Sequence, residues 1–373
     1  MAIPTTYFSA QILLILSFLL LGLWSSTFKL AGNRWRFELF SVDFAFGAIL
    51  FSLVSAYTFG AFGAELGFEE HLMIASKTNQ ALAVGAGGLF AFGSIMLLGG
   101  SALLGLAFTF AIGTGAAILM LGITDFAGFR AIMLGVAIFA ALLAILFEVL
   151  GAKAAETILP AVHLPVMVLK SSLGRSQQPK NSSGWRNSSK GIIVSILGGL
   201  AIGGMASPFY TAVFGQFGLG SFAGIVLFSS GALVTTLLLN VLLMNLPIHS
   251  VPIGPKAYFK GGFGQHLLGL IGGAFCAGGV LLLTLINAFP TDVQPDSLWL
   301  WAAGLGAGFI AMALGLSKWR ELSNAPGSAV RSLVIGAILL VVAIGAFALA
   351  MGMPAPPPAT QEQGNSAQAQ LFG

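Results

Sequence analysis

The sequence predicts an all-α membrane protein: ten transmembrane helices in two inverted five-helix repeats around a central cavity. Three observations lead there. Only 8% of the 373 residues are charged, against about 25% in soluble domains, so the chain has too little polar surface to face water. Apolar runs of spanning length recur along it, and stretches such as "ALLAILFEVL" lack the alternation of a membrane β-barrel strand. A serine-rich linker near the middle divides the runs five and five, and an odd number per half inserts the second half upside down relative to the first.

The spans fall at 7–28, 41–60, 81–100, 102–123 and 131–150, then at 191–214, 219–245, 267–289, 297–317 and 331–352. Residues 1–150 make the first repeat and 191–352 the second. Between them, 151–190 form a cytoplasmic linker. Its stretch "ETILPAVHLPVMVLK" (156–170) is apolar but short and broken by Pro160 and Pro165, so it reads as interfacial, not as an eleventh span. The tail 353–373, "PAPPPATQEQGNSAQAQLFG" from 354 on, reads as disordered.

The span count is tested by charge. With the N-terminus outside, the inside connections hold 14 of the 16 Lys and Arg residues, leaving only Lys77 and Arg130 outside. One missed or invented span would reverse the side of every later loop, so the positive-inside bias supports both the count and an orientation with both termini non-cytoplasmic. The first span is followed, not preceded, by Lys29, Arg34 and Arg36, which disfavours a cleaved signal peptide. The net charge of +4 is thereby a topology signal, and no nucleic-acid partner is expected. A multi-pass protein of the cell (inner or plasma) membrane follows, with lipid as its surroundings. One cysteine, Cys276, excludes a disulfide framework, and no His/Asp/Glu spacing points to a metal. No cofactor is expected. Glycine runs such as "GGLFAFG", "GLGAG" and "GGAFCAGG" sit inside spans without a preceding strand. They read as close-packing helix faces rather than phosphate loops, and they also allow a homodimer.

Several residues stand out for chemistry. Glu148 is the one carboxylate well inside a span; it reads either as an interfacial partner of Lys153 or as a proton-titrating or substrate-contacting group. Asp43 and Glu38 flank the start of the second span, where the helix dipole favours acids and Ser41 is placed to cap. Alternatively Lys29, Arg34, Glu38 and Asp43 form a cytoplasmic gate. Late in the first span, Trp24, Ser25, Ser26 and Thr27 offer an aromatic face and small hydroxyls to a cavity. Ser207, Pro208 and Tyr210 occupy the corresponding stretch of the sixth span, where a proline is expected to kink the helix. Asn240 and Asn287 are buried amides suited either to interhelical hydrogen bonds or to a polar solute. His266 reads as a capping or interfacial residue, with proton sensing as the alternative. No base stands beside the serine of "GMASPFY", so no enzyme is expected.

"LWSSTFKLAGNRWRFELFSVDF" (23–44), "FAIGTGAAILMLG" (110–122), "QHLLGLIGG" (265–273) and "KWRELSNAP" (318–326) together resemble the drug/metabolite transporter superfamily, most of all its glucose/ribose porter and ureide permease branches. Ala111 and Gly308 depart from it where prolines are expected, and Phe275 where a tryptophan is common. The resemblance implies a helical bundle with a central cavity working by alternating access. Its implied substrates are small neutral polar solutes, sugars first and ureides or nucleobases second, with export of drugs or metabolites as a third expectation. Binding then falls to Trp24, Ser25, Ser26, Ser207, Tyr210, Asn240 and Asn287, and proton coupling to Glu148 or Asp43. A reading of a different class is a structural or assembly membrane protein that uses the basic stretch 170–190 to hold anionic lipid or a partner.

Overall fold

A computed structural model describes residues 6–32, 35–61, 67–124, 130–156, 184–248 and 252–353. Among these residues the chain is all-helical with short connecting turns and no strand. Eleven α-helices follow in order: α1 (Tyr7–Ala31), α2 (Phe37–Thr58), α3 (Phe68–Ile74), α4 (Lys77–Leu104), α5 (Leu106–Thr124), α6 (Ala131–Glu156), α7 (Gly184–Phe214), α8 (Gly220–Asn245), α9 (Phe263–Asn287), α10 (Ser297–Ser317) and α11 (Gly327–Gly352). A 3-10 helix, η1 (Pro255–Lys260), lies between α8 and α9. All but α3 and η1 are long and apolar enough to cross a membrane, which gives the ten spans of a multi-pass membrane protein.

Each span lies within a few residues of its expected place. Helix α2 begins earlier than expected, at Phe37 with Arg36 as its N-cap. Ser41 and Asp43 therefore lie inside the helix and do not cap it. The α4–α5 break falls at Gly105, whose φ of +87° suits glycine. Helix α7 is continuous across Pro208. The short amphipathic α3 and η1 were not anticipated, because neither carries a spanning run. Residues 157–170 of the expected interfacial stretch, most of the linker, Arg34 and residues 354–373 of the tail lie outside the described residues.

Packing joins the two halves of the sequence more than it joins neighbours. Helix α4 packs on α7 and α8, α9 on α1 and α2, α5 on α7 and α10, and α6 on α11. One apolar core is built from α1, α2, α4, α7, α8 and α9. A second is built from α5, α6, α10 and α11. Glycines set the closest crossings. A Cβ on Gly273 of α9 would overlap the carbonyl of Phe44 on α2, and one on Gly47 of α2 would overlap that of Leu270 on α9. The same reciprocal arrangement joins α4 and α8, where Gly87 meets Phe228 and Gly231 meets Val84. In lipid, where apolar burial does not drive association, such backbone approach supplies dispersion contact.

Most basic residues of the helix ends gather at one end of the bundle, with Lys77 and Arg130 at the other. Lys29 closes α1, Lys153 lies in the last turn of α6, Lys256 and Lys260 are on η1, and Lys318 and Arg320 follow α10. Contacts tie these connections together: Lys29 Nζ lies 3.0 Å from Glu321 Oε1. Glu321 also accepts from the N–H groups of Leu106 and Ala107, both at 2.9 Å, and so caps α5. Arg320 takes a left-handed φ of +49°, and Glu321 follows directly in this turn.

Candidate functional site: a polar seam and a clamped carboxylate

A narrow cavity lies between α2, α4 and α8, with room for about one water molecule. Its walls combine phenyl faces (Phe44, Phe90) with hydroxyls (Ser41, Ser94, Thr236), and none of its lining residues is ionisable. Ser41 Oγ faces the Asn240 amide, with Asn240 Nδ2 donating at 3.0 Å, and it also donates to the Glu38 carbonyl at 3.0 Å. About three helical turns further along the same two helices, Ser52 and Ser229 pair at 2.8 Å. Ser94 is buried and its Oγ has no partner among the described residues. An aromatic chain crosses the same region: Trp24 on Phe44 at 5.2 Å, Phe44 on Phe90 at 6.3 Å, Phe90 on Phe228 at 5.2 Å and Phe228 on Phe209 at 4.7 Å.

On its opposite side, toward α9, α2 is clamped. Asp43 is 3% exposed. Its carboxylate accepts from the Tyr258 hydroxyl of η1, and His266 Nδ1 of α9 lies 3.0 Å from both carboxylate oxygens. The Trp35 ring packs edge-on to His266 at 4.9 Å. A Cβ on Gly269 would press on Asp43, and one on Gly261 would meet Trp35 and His266, so both glycines make room for the cluster. Burial and the Asp43 carboxylate push the Tyr258 phenol above its ordinary value. It therefore stays a protonated donor at neutral pH.

The residues singled out in sequence are distributed as follows. Asn240 lies on the seam, and Trp24 reaches it through Phe44. Ser25 is buried with an unpartnered hydroxyl, while Ser26 donates back to the Leu23 carbonyl at 2.6 Å; neither lines the cavity. Ser207 and Tyr210 lie on the exposed face of α7, with Tyr210 58% exposed. Phe209, not Tyr210, faces the core. Asn287 sits at the far end of α9 and donates to the Leu283 carbonyl at 2.9 Å.

The expected grouping of Lys29, Glu38 and Asp43 is not formed. Lys29 pairs with Glu321, Glu38 takes a fork from Arg36 (Nη2 at 2.5 Å, Nε at 3.1 Å), and Asp43 goes to Tyr258 and His266. Asp43 also lies too deep in α2 to act on its N-terminal dipole. Glu148 is fully buried, and neither oxygen has a hydrogen-bond partner among the described residues, so Lys153 is not its partner. It faces α11 at Gly336, where an added Cβ would crowd the carboxyl. Sequence reading missed Tyr258 altogether and put a capping or interfacial role for His266 first, with proton sensing as the alternative. The signal was present: a tyrosine between two lysines on one side of a glycine pair, and a histidine four residues after that pair.

Among the described residues no group of His, Cys, Asp or Glu is arranged to hold a metal ion. Comparison with family models, with curated proteins and with solved structures finds no match to this chain.

Proposed function

We propose that this chain is a secondary transporter of the drug/metabolite class, carrying a small neutral polar solute by alternating access. The observation that carries the reading is the seam cavity. It is uncharged and walled by apolar and aromatic faces, and the unpartnered Ser94 hydroxyl in its lining and the Ser41–Asn240 pair beside it are the polar groups a solute would meet once the helices part. A charged solute would find no counter-ion in that lining. The substrate expectation stays in its original order: a sugar, then a ureide or nucleobase, then an exported drug or metabolite.

Helix pairing supports two inverted repeats. Exchange α1, α2, α4, α5 and α6 for α7, α8, α9, α10 and α11. The pair α2–α9 then becomes α8–α4, α1–α9 becomes α7–α4, α1–α10 becomes α7–α5, and α5–α6 becomes α10–α11, all of them packed pairs. The pairs α2–α8, α5–α10 and α6–α11 map onto themselves. The reciprocal glycines at α2–α9 and α4–α8 obey the same exchange. Both termini are placed outside the cell, with the base-rich end inside, by the positive-inside rule.

Uptake by proteoliposomes tests the reading. Purified protein should move at least one member of a panel of sugars, ureides and nucleobases saturably and faster than empty vesicles. Asn240→Ala should raise KM for that solute. No saturable flux with any member would remove the transporter reading.

A further inference from the structure

Helix α2 has two occupied faces. One carries Ser41, Phe44, Ala45 and Ala48 to the cavity. The other is held by Asp43, through a hydrogen-bonded cluster that joins α2 to η1 and α9. Widening the cavity by movement of α2 must therefore strain or break that cluster.

We propose that Asp43, His266 and Tyr258 form a proton-binding site whose occupancy governs opening of the cavity toward the base-rich end. The inference rests on the transporter reading for its purpose, but not for its test. Imidazole is the side chain that changes charge between about pH 5 and 8. With neutral His266, the Nδ1–H···carboxylate contact is a hydrogen bond with one charged partner. A proton taken from water at Nε2 makes the ring an imidazolium, and the same contact becomes an ion pair with both partners charged, which is stronger. The protonated site therefore clamps α2. Loss of the proton weakens the clamp, and clamp opening in turn releases the proton, as linkage requires.

The groups packed around the pair are engaged elsewhere or keep their protonation over this range. From η1, Tyr258 donates and stays protonated over this range. From the segment before α2, Trp35 covers the imidazole without titrating. The nearby bases are engaged elsewhere, Arg36 on Glu38 and Lys29 on Glu321. The Asn240 amide, on α8, reaches α2 only through Ser41. His266 itself is about one-quarter exposed (24%), so a proton from water has a route to it.

Spin labels at Ala102→Cys on α4 and Phe259→Cys on η1 report the opening, since both sites are exposed at the base-rich end. The native Cys276 is buried and does not compete for label. In nanodiscs, double electron–electron resonance should resolve a short and a long distance population. The long one should gain on the short by roughly fivefold or more as pH rises from about 5 to about 8. His266→Gln and Asp43→Asn should abolish that dependence. Tyr258→Phe should keep it, while favouring the long population at every pH, and carries the test if the other two fail to fold. A wild-type ratio that does not move with pH, or one that moves equally in His266→Gln, overturns the proposal. Distances that shift with pH in a protein that moves no solute leave the proton site standing and remove the transporter reading; flux with pH-independent distances does the reverse.

Discussion

At the scale of single residues, buried polar groups separate those with partners from those without. Asp43 and Glu38 are engaged, whereas Glu148 is buried with no hydrogen-bond partner for either oxygen among the described residues. An unsatisfied buried polar group carries a penalty of about 1–3 kcal/mol. Glu148→Leu, close in size and without that penalty, should stabilise the fold by a similar amount, read as a higher thermal midpoint in detergent. A lower midpoint would mean the carboxyl makes a favourable contact. The seam amide predicts the opposite sign. Asn240→Leu removes the amide donor to Ser41 and should destabilise by about 1 kcal/mol or less, the usual worth of an interhelical bond in lipid. Sequence marked these residues as conspicuous, because carboxylates and amides are rare in so apolar a chain. It did not give their partners. Asp43 meets groups 215 and 223 positions away, and Lys29 finds its carboxylate at Glu321 rather than in its own loop. Such pairings follow from the packing of spans distant in sequence, which local spacing does not encode.

At the scale of helices, glycine and capping decide what can be changed. Gly273 and Gly345 are both glycines inside spans, yet they differ in surroundings. Gly273→Ala drives a methyl into the Phe44 backbone, which is unable to move aside as a side chain would. It should abolish folding or part α2 from α9, read as loss of a monodisperse peak in gel filtration. Gly345→Ala meets nothing within 4 Å and should stabilise by up to about 1 kcal/mol through helix propensity. The α5 N-terminus offers a second contrast. Glu321→Ala takes the acceptor from two backbone N–H groups and the partner from Lys29. Lys29→Met removes only a partly exposed ion pair, and such pairs are worth about 0–1 kcal/mol. Thermal unfolding should therefore fall further for Glu321→Ala than for Lys29→Met. The spans themselves were legible, since apolar length is a property of contiguous sequence. The α2 start was misplaced because Phe37, Leu39 and Phe40 are interleaved with Arg36 and Glu38, whose mutual fork lets the charged turn join the helix. Helix α3 and η1 were illegible for a related reason: each is short and amphipathic, and each is held by contacts to distant spans.

At the scale of the whole molecule, the base-rich end and the clamped carboxylate coincide, and that gives orientation a mechanistic weight. If the positive-inside rule holds, the Asp43–His266 site faces the cytoplasm, and in the proposed transport cycle that is the side on which the solute leaves or enters when α2 is released. The opposite orientation would place the same site on the outer face and reverse the direction in which a proton gradient acts. Single cysteines in a Cys276→Ala background decide between them. Phe259 on η1 marks the base-rich end, and Trp299, 53% exposed in the first turn of α10, marks the other. In intact cells a membrane-impermeant maleimide should label Trp299→Cys at once and Phe259→Cys only after permeabilisation. The reverse pattern would invert the protein and contradict the charge bias. Labelling of both from outside would break the ten-span topology itself, because the single span α9 separates Phe259 from Trp299.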